Sequence, residues 1–166
     1  MSKFEDLCRA YAISRKSYFD YRDACLKFGT NLVNGMMRYF QCPKEQVQFI
    51  PLKEVIPPGL TSNLLGAMHL DDDTFWHFGL GITLYEAPNI FPQETVLLRV
   101  LMKKTHGYFI VKLGTRGEEF KIHGDKPDDF TVFYEFVFSQ IKESYEKGLQ
   151  RFLEQEETSR KIGFNV

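Results

Sequence analysis

The stretch from Thr74 to Tyr85, TFWHFGLGITLY, is the strongest constraint on how this chain folds. Its apolar residues recur at every second position, at Trp76, Phe78, Leu80, Ile82 and Leu84. A period of two over so long a run predicts a β-strand with one face buried in a core. The intervening positions include Gly79 and Gly81, and glycine weakens a strand unless another group approaches closely there.

The segments that follow predict a meander of antiparallel strands. A tight turn at His106-Gly107 places Met102 opposite Val111, and a turn over residues 114–117 places Val111 opposite Phe120. In both hairpins the apolar faces coincide, whereas a slip of one residue would expose them. Pairing of Tyr85 with Thr95 would further place Gly81 beside Arg99 and His77 beside Lys103.

Helical patterns flank the predicted sheet. Ser2 and Glu5 form a capping box, and a stripe at helical spacing runs through Tyr18, Tyr21, Cys25, Phe28 and Leu32. A second helix is predicted to begin at Ser14, and FGTN at 28–31 predicts a kink or break. After Pro127, Asp128 or Asp129 can cap a long amphipathic helix.

These patterns predict an α+β fold, because the helices and strands do not alternate. One domain is expected over residues 1–156, with a helical part at 1–42 and an antiparallel meander of about four to six strands at 46–123. The long C-terminal helix, 128–156, is expected to pack on the sheet face that carries Trp76, Phe78, Met102 and Phe109. Residues 157–166 are predicted to form a flexible tail.

Composition limits the function. The chain has 166 residues and a net charge of −1, which provides no overall attraction to nucleic acid or to acidic membranes. Its three cysteines, Cys8, Cys25 and Cys42, include no CxxC pair, so reduced thiols in the cytoplasm are predicted. No apolar run near the N-terminus indicates a signal peptide, and no stretch reaches the ~18 apolar residues of a membrane span.

The second face of the predicted sheet carries the candidate binding residues. It combines basic, aromatic and small groups, and the predicted binding residues are His77, Gly79, Gly81, Arg99, Lys103, Tyr108, Lys112 and Lys121. Three interpretations of this face stay open. The N-terminal helix packs across the glycines, or another chain or ligand docks there, or the face is solvated and the glycines only permit twist.

The stretch MHLDDDTFWH, residues 68–77, resembles a metal site in its residue types. With residues 71–73 as a three-residue loop, Leu70 pairs with Thr74 and Met68 with Trp76. His69 and His77 then share a face only diagonally, ~7–8 Å apart. Asp71 or Asp73 could add a third zinc ligand. An aspartate-rich turn accounts for the same residues, and we assign no metal ligand and no cofactor from the sequence.

Signatures of catalysis are weak. The chain has no GxSxG and no phosphate-binding loop, and the assignment of enzymatic activity leans towards none. Glu119-Phe120-Lys121 matches a short pattern of metal-dependent nucleases, but the preceding strand offers no acid. Tyr108 among Lys103, Lys112 and Lys121 resembles a stacking platform for single-stranded nucleic acid.

The function predicted from the sequence is that of a non-enzymatic, cytoplasmic interaction or regulatory module. It would bind a protein partner, or a second copy of itself, through a sheet face and aromatic-rich helices. The alternative is a small-molecule-binding domain or small enzyme whose pocket lies between the sheet and the N-terminal helices, lined by His77, Arg99 and Tyr108. A nuclease and a single-stranded nucleic-acid binder are less favoured.

Overall fold

The computed structural model describes residues 2–52, 63–154 and 164–165. Its elements are α1 (Lys3–Phe40), a 3-10 turn (Lys44–Gln46), β1 (Val47–Ile50), α2 (Leu64–Ala67), β2 (His69–Leu70), β3 (Trp76–Tyr85), β4 (Gln93–Lys104), β5 (Phe109–Leu113), β6 (Phe120–Ile122), α3 (Pro127–Glu146), α4 (Gly148–Glu154) and β7 (Phe164–Asn165). The main sheet has the order β1-β3-β4-β5-β6, with β2 beside β3 and β7 beside β4. Every pair is antiparallel, and the predicted α+β fold is confirmed.

Both hairpins of the predicted meander have the expected register. Met102 pairs with Val111 across β4 and β5, and Val111 pairs with Phe120 across β5 and β6. Gly107, in the first turn, has a φ of 80°, which glycine adopts without strain. The turn chemistry and the burial of one face together fixed these registers.

The register between β3 and β4 differs from the prediction by two residues. Tyr85 pairs with Gln93 instead of Thr95, because β4 begins at Gln93 and the connecting loop is shorter than expected. A shift of two residues preserves which face each side chain occupies. It changes the neighbours on that face, so that His77 lies opposite Leu101 and Gly79 lies opposite Arg99.

The predicted break in the N-terminal helix is wrong, since α1 is continuous over 38 residues. The capping box of Ser2 and Glu5 begins it as expected. Gly29 does not interrupt the helix but lets it approach its neighbours. A Cβ at this position would lie 2.6 Å from Leu64 Cδ2 and 2.9 Å from Met102 Cε. The sequence FGTN therefore marks a close packing contact.

The apolar sheet face is shared between α1 and α3, which corrects its assignment to the C-terminal helix alone. Phe28 of α1 stacks on Phe109 with ring centroids 3.9 Å apart, and Tyr21 lies beside Trp76. α3 packs towards the β6 edge, where Phe133 contacts Phe120. A helix as long as α1 covers much of the sheet, whereas α3 begins at the β6 edge and extends from there towards β4, where the Tyr145 hydroxyl donates to the Glu94 carboxylate.

The C-terminal helix is divided. α3 ends at Glu146 and α4 follows from Gly148 to Glu154, whereas one helix was predicted over residues 128–156. Most of the predicted tail, residues 157–163 and 166, lies outside the described residues, and Phe164–Asn165 pair with β4.

Among the helices that the structure describes, none combines the length and apolar character needed to cross a bilayer.

Candidate functional site

The two strand glycines lie beside β1 of the same chain. A Cβ on Gly79 would lie 2.7 Å from the carbonyl oxygen of Ile50, the last residue of β1, and 3.0 Å from Leu52 Cδ2. A Cβ on Gly81 would meet Ile50 Cδ1 at 2.8 Å. The close approach that the glycines predicted is thus real, but the approaching group is β1 together with Leu52 just after it, while α1 lies on the other face.

The basic residues predicted on this face divide into separate places. Arg99 and Lys121 are exposed, whereas Lys103 and Lys112 are half-buried over the ring of Phe75. The Lys112 ammonium lies 4.5 Å from the centroid of that ring, which suits a cation–π contact. Beneath them Leu101 is fully buried. Phe75 and Leu101 thus form a small apolar cluster on this part of the face, and the two lysine side chains lie over it.

Tyr108 belongs to a different group at the β5–β6 edge. Its ring centroid lies 5.5 Å from that of His123, and the Lys121 ammonium lies 5.5 Å from the Tyr108 ring centroid. The Lys121 ammonium thus lies within the range of a cation–π contact with the tyrosine ring. Glu119 precedes β6 and is exposed.

The connection between β2 and β3 places its turn one residue later than predicted. Leu70 pairs with Trp76 and His69 pairs with His77, so the loop comprises residues 72–74. The Asp71 N–H donates to the carbonyl of Phe75, and Thr74 takes a φ of 72°, as a three-residue hairpin loop requires. The two histidines are consequently direct cross-strand neighbours, with ring centroids 5.3 Å apart.

Aspartates of the turn face the two imidazoles. Asp73 accepts from His77 Nε2 at 2.8 Å and from the Phe75 N–H at 3.0 Å. Burial raises the pKa of the Asp73 carboxyl, but the Phe75 N–H and His77 outweigh it and leave the pKa below its usual value. Asp71 Oδ2 lies 3.9 Å from Nε2 of both His69 and His77. Within the described ranges, His69, Asp71 and His77 offer one ligand atom each within 4.8 Å of one another.

The space between the sheet and the two long helices is filled. Where α1 and α3 meet the sheet, a void of about 10 Å³ remains, lined by apolar residues such as Leu32, Leu80 and Phe133. His77, Arg99 and Tyr108 project from the opposite face of the sheet. The residues predicted to line a ligand pocket therefore lie on the sheet face away from α1, and the small void beside α1 does not include them.

The N-terminal half of α1 extends beyond the folded core. Every residue from Ser2 to Tyr18 is exposed, whereas the buried residues of α1 begin at Cys25. The helical residues that precede the first contacts of α1 with the sheet, Lys3 to Lys16, span roughly 21 Å at about 1.5 Å per residue. This projecting half of the helix carries none of the predicted site residues.

The projecting half carries an apolar stripe. Phe4, Leu7 and Tyr11 follow one another at spacings of three and four residues, which place them on one side of a helix. Tyr18 continues this side seven residues later, where its ring centroid lies 6.4 Å from that of Trp76. Leu7 is 68% exposed and Tyr11 61% exposed. The same spacing continues into Tyr21, Cys25 and Phe28, which pack on the sheet. The signal was present in the sequence, but the predicted second start at Ser14 divided the stripe.

Comparison of the chain with models of protein families, with curated proteins and with solved structures finds no match.

Proposed function

We propose that this protein is a non-enzymatic interaction module that pairs through the projecting half of α1. The observation that carries the proposal is the exposed apolar stripe of Phe4, Leu7 and Tyr11. Isolated helices of this length are marginal in water, so such a helix gains much of its stability from a partner surface. A continuous apolar stripe on a surface helix is typical of a helix–helix interface.

The proposed occupant of the stripe is the same helix of a second copy, in antiparallel orientation. Near one end of the projecting half the acidic residues Glu5 and Asp6 outnumber the basic Lys3, and near the other end Arg15 and Lys16 are both basic. An antiparallel pair centred on Tyr11 brings opposite charges to the same level, whereas a parallel pair aligns like charges. The antiparallel pair also keeps the two folded cores at opposite ends, where they do not collide.

The surroundings of Cys25 and Cys42 argue against either thiol acting as a nucleophile. Burial raises the pKa of the Cys25 and Cys42 thiols, which disfavours the reactive thiolate. All three cysteines are free thiols, which supports a cytoplasmic location as part of the proposal. Arg99 and Lys121, exposed on the second sheet face, stay predicted contacts for a further partner or for regulation.

Sedimentation velocity over a concentration series from about 1 to 100 µM tests the pairing. The buried area of one short helix pair lies at the low end for specific interfaces, so we expect a dimer that forms in the micromolar range. Leu7→Glu places a charge on the stripe and should leave the protein monomeric. Leu7 is exposed, as is Ile13, the position of the control variant below. Either substitution should therefore change the melting temperature by less than about 2 °C.

Ile13→Glu is the matched control. Ile13 is 61% exposed, similar to Leu7, but lies on the opposite side of the same helix. This variant should dimerise as the wild type does. A wild type that stays monomeric across the series contradicts the proposal, and so does dissociation of Leu7→Glu and Ile13→Glu to the same extent.

A further inference from the structure

We infer that the β2–β3 turn is a binding site for a transition-metal ion of the zinc class, with His69, His77 and Asp71 as ligands. Imidazole nitrogen with carboxylate oxygen is a donor set that suits Zn²⁺, and three protein ligands leave the fourth tetrahedral position open. The site belongs to the β2–β3 hairpin of the folded core, which is remote in sequence from the apolar stripe of α1. The inference is independent of the proposed pairing.

The distances are close to those of a formed site. In a tetrahedral zinc site with bonds of about 2.05 Å, ligand atoms lie about 3.4 Å apart. Asp71 Oδ2 lies 3.9 Å from Nε2 of each histidine, and all three ligand atoms lie within 4.8 Å of one another. The three ligand side chains would thus need to move by about 1 Å or less to coordinate an ion.

The hairpin fixes the ligands before any ion arrives. His69 and His77 are opposed residues of two paired strands, and their side chains are 16% and 10% exposed. Asp71 Oδ1 accepts from the Asp72 N–H at 2.7 Å, so the other carboxylate oxygen is left to face the imidazoles. Preorganisation of this kind reduces the entropy that binding would otherwise cost.

Asp73 completes the surroundings of the site. Its carboxylate contacts the same His77 Nε2 that would bind the ion, so binding displaces this hydrogen bond and requires the His77 tautomer that carries its proton on Nδ1. The Asp73 carboxylate is then free to take the fourth position or to bind a water there. Asp71, Asp72 and Asp73 give the turn three negative charges, and the Lys112 charge near Asp73 offsets only part of them.

Titration with Co²⁺ followed by visible absorption tests the site, since tetrahedral Co²⁺ absorbs far more strongly than the hydrated ion. The protein carries Cys8→Ser, because the exposed thiol could bind metal by itself. We expect one Co²⁺ per chain, displaced by Zn²⁺ and not by Mg²⁺, which prefers oxygen ligands. His69→Gln and Asp71→Asn should each weaken binding at least about tenfold.

His106→Gln is the matched control, because His106 is an exposed histidine in another turn. This variant should bind Co²⁺ as the parent does. Absence of a tetrahedral spectrum at about 100 µM Co²⁺ overturns the inference. It is equally overturned if His69→Gln and Asp71→Asn, with circular dichroism unchanged, bind as tightly as the parent, or if His106→Gln weakens binding as much as they do.

Discussion

At the scale of single residues, one carboxylate organises the turn that leads into α3. Asp129 Oδ2 accepts from the backbone N–H of His123 at 2.9 Å and lies 2.8 Å from His123 Nδ1. The His123 backbone N–H first, and then the His123 side chain, lower the pKa of the Asp129 carboxyl. The carboxylate therefore joins the end of β6 to the first turn of the helix.

This bond predicts a defined dependence of stability on pH. A carboxyl whose pKa is lower in the folded state stabilises the fold above its unfolded pKa of about 3.9, and this contribution is lost as the pH falls through the folded pKa. Asp129→Asn should therefore lower the melting temperature at pH 7. The difference from wild type should shrink towards zero as the pH falls below about 4.

Thermal unfolding followed by circular dichroism between pH 7 and pH 2.5 measures this difference. Asp125→Asn, in the same turn and exposed, should stay within about 1 °C of wild type at pH 7. A difference between wild type and Asp129→Asn that is the same at pH 7 and pH 2.5 would contradict the assigned role of the Asp129 charge.

At the scale of elements, β3 is confined on its second face by residues of the neighbouring strand β1. The two glycines of β3 meet different kinds of atom. Gly79 faces the backbone carbonyl of Ile50, which cannot move without displacing the strand, whereas Gly81 faces the side-chain ends of Ile50, Gln48 and Thr95.

Alanine substitutions at the two glycines should therefore differ in effect. Gly79→Ala should destabilise the protein by about 1–3 kcal/mol, as overpacking does, which corresponds to a melting temperature roughly 2–10 °C lower. Gly81→Ala should cost less than about 1 kcal/mol, because the side chains can rotate and alanine loses less entropy in a strand. Chemical denaturation measures both variants, and equal losses would contradict the difference in their surroundings.

At the scale of the whole molecule, a buried hydrogen bond joins α1 and α3 where the two helices cross. The Tyr134 hydroxyl of α3 donates to the Leu32 carbonyl of α1 at 2.8 Å, and burial raises the pKa of Tyr134 to about 12. The hydroxyl is therefore protonated and able to donate at neutral pH. The contact requires Gly35, since a Cβ there would lie 2.3 Å from the Tyr134 oxygen.

This crossing predicts strong coupling between the two positions. Gly35→Ala alone should destabilise by about 1–3 kcal/mol despite the better helix propensity of alanine. In a Tyr134→Phe background, which lacks the hydroxyl, the same change should be close to neutral. A double-mutant cycle of unfolding free energies measures the coupling, expected to be at least about 1 kcal/mol, and additive effects of the two substitutions would contradict the proposed clash.

Local patterns in the sequence were sufficient to predict the class of the fold and the registers of the meander. The period of two around Trp76, the glycine of the His106-Gly107 turn and the capping box of Ser2 each depend on interactions within a few residues or between adjacent strands. Interactions of this range are visible in a single sequence. They determined the α+β class, two strand registers and the start of α1.

Only the tertiary structure decided what each face meets. Gly29 predicts a helix break from the sequence, but in the fold its missing side chain allows Leu64 and Met102 to pack against α1. His69 and His77 become neighbours because the turn closes one residue later, which depends on competing hydrogen bonds of several aspartates. The stripe of α1 is partly core and partly surface because the sheet is shorter than the helix. Such outcomes depend on which distant residues arrive together, and no local period encodes that.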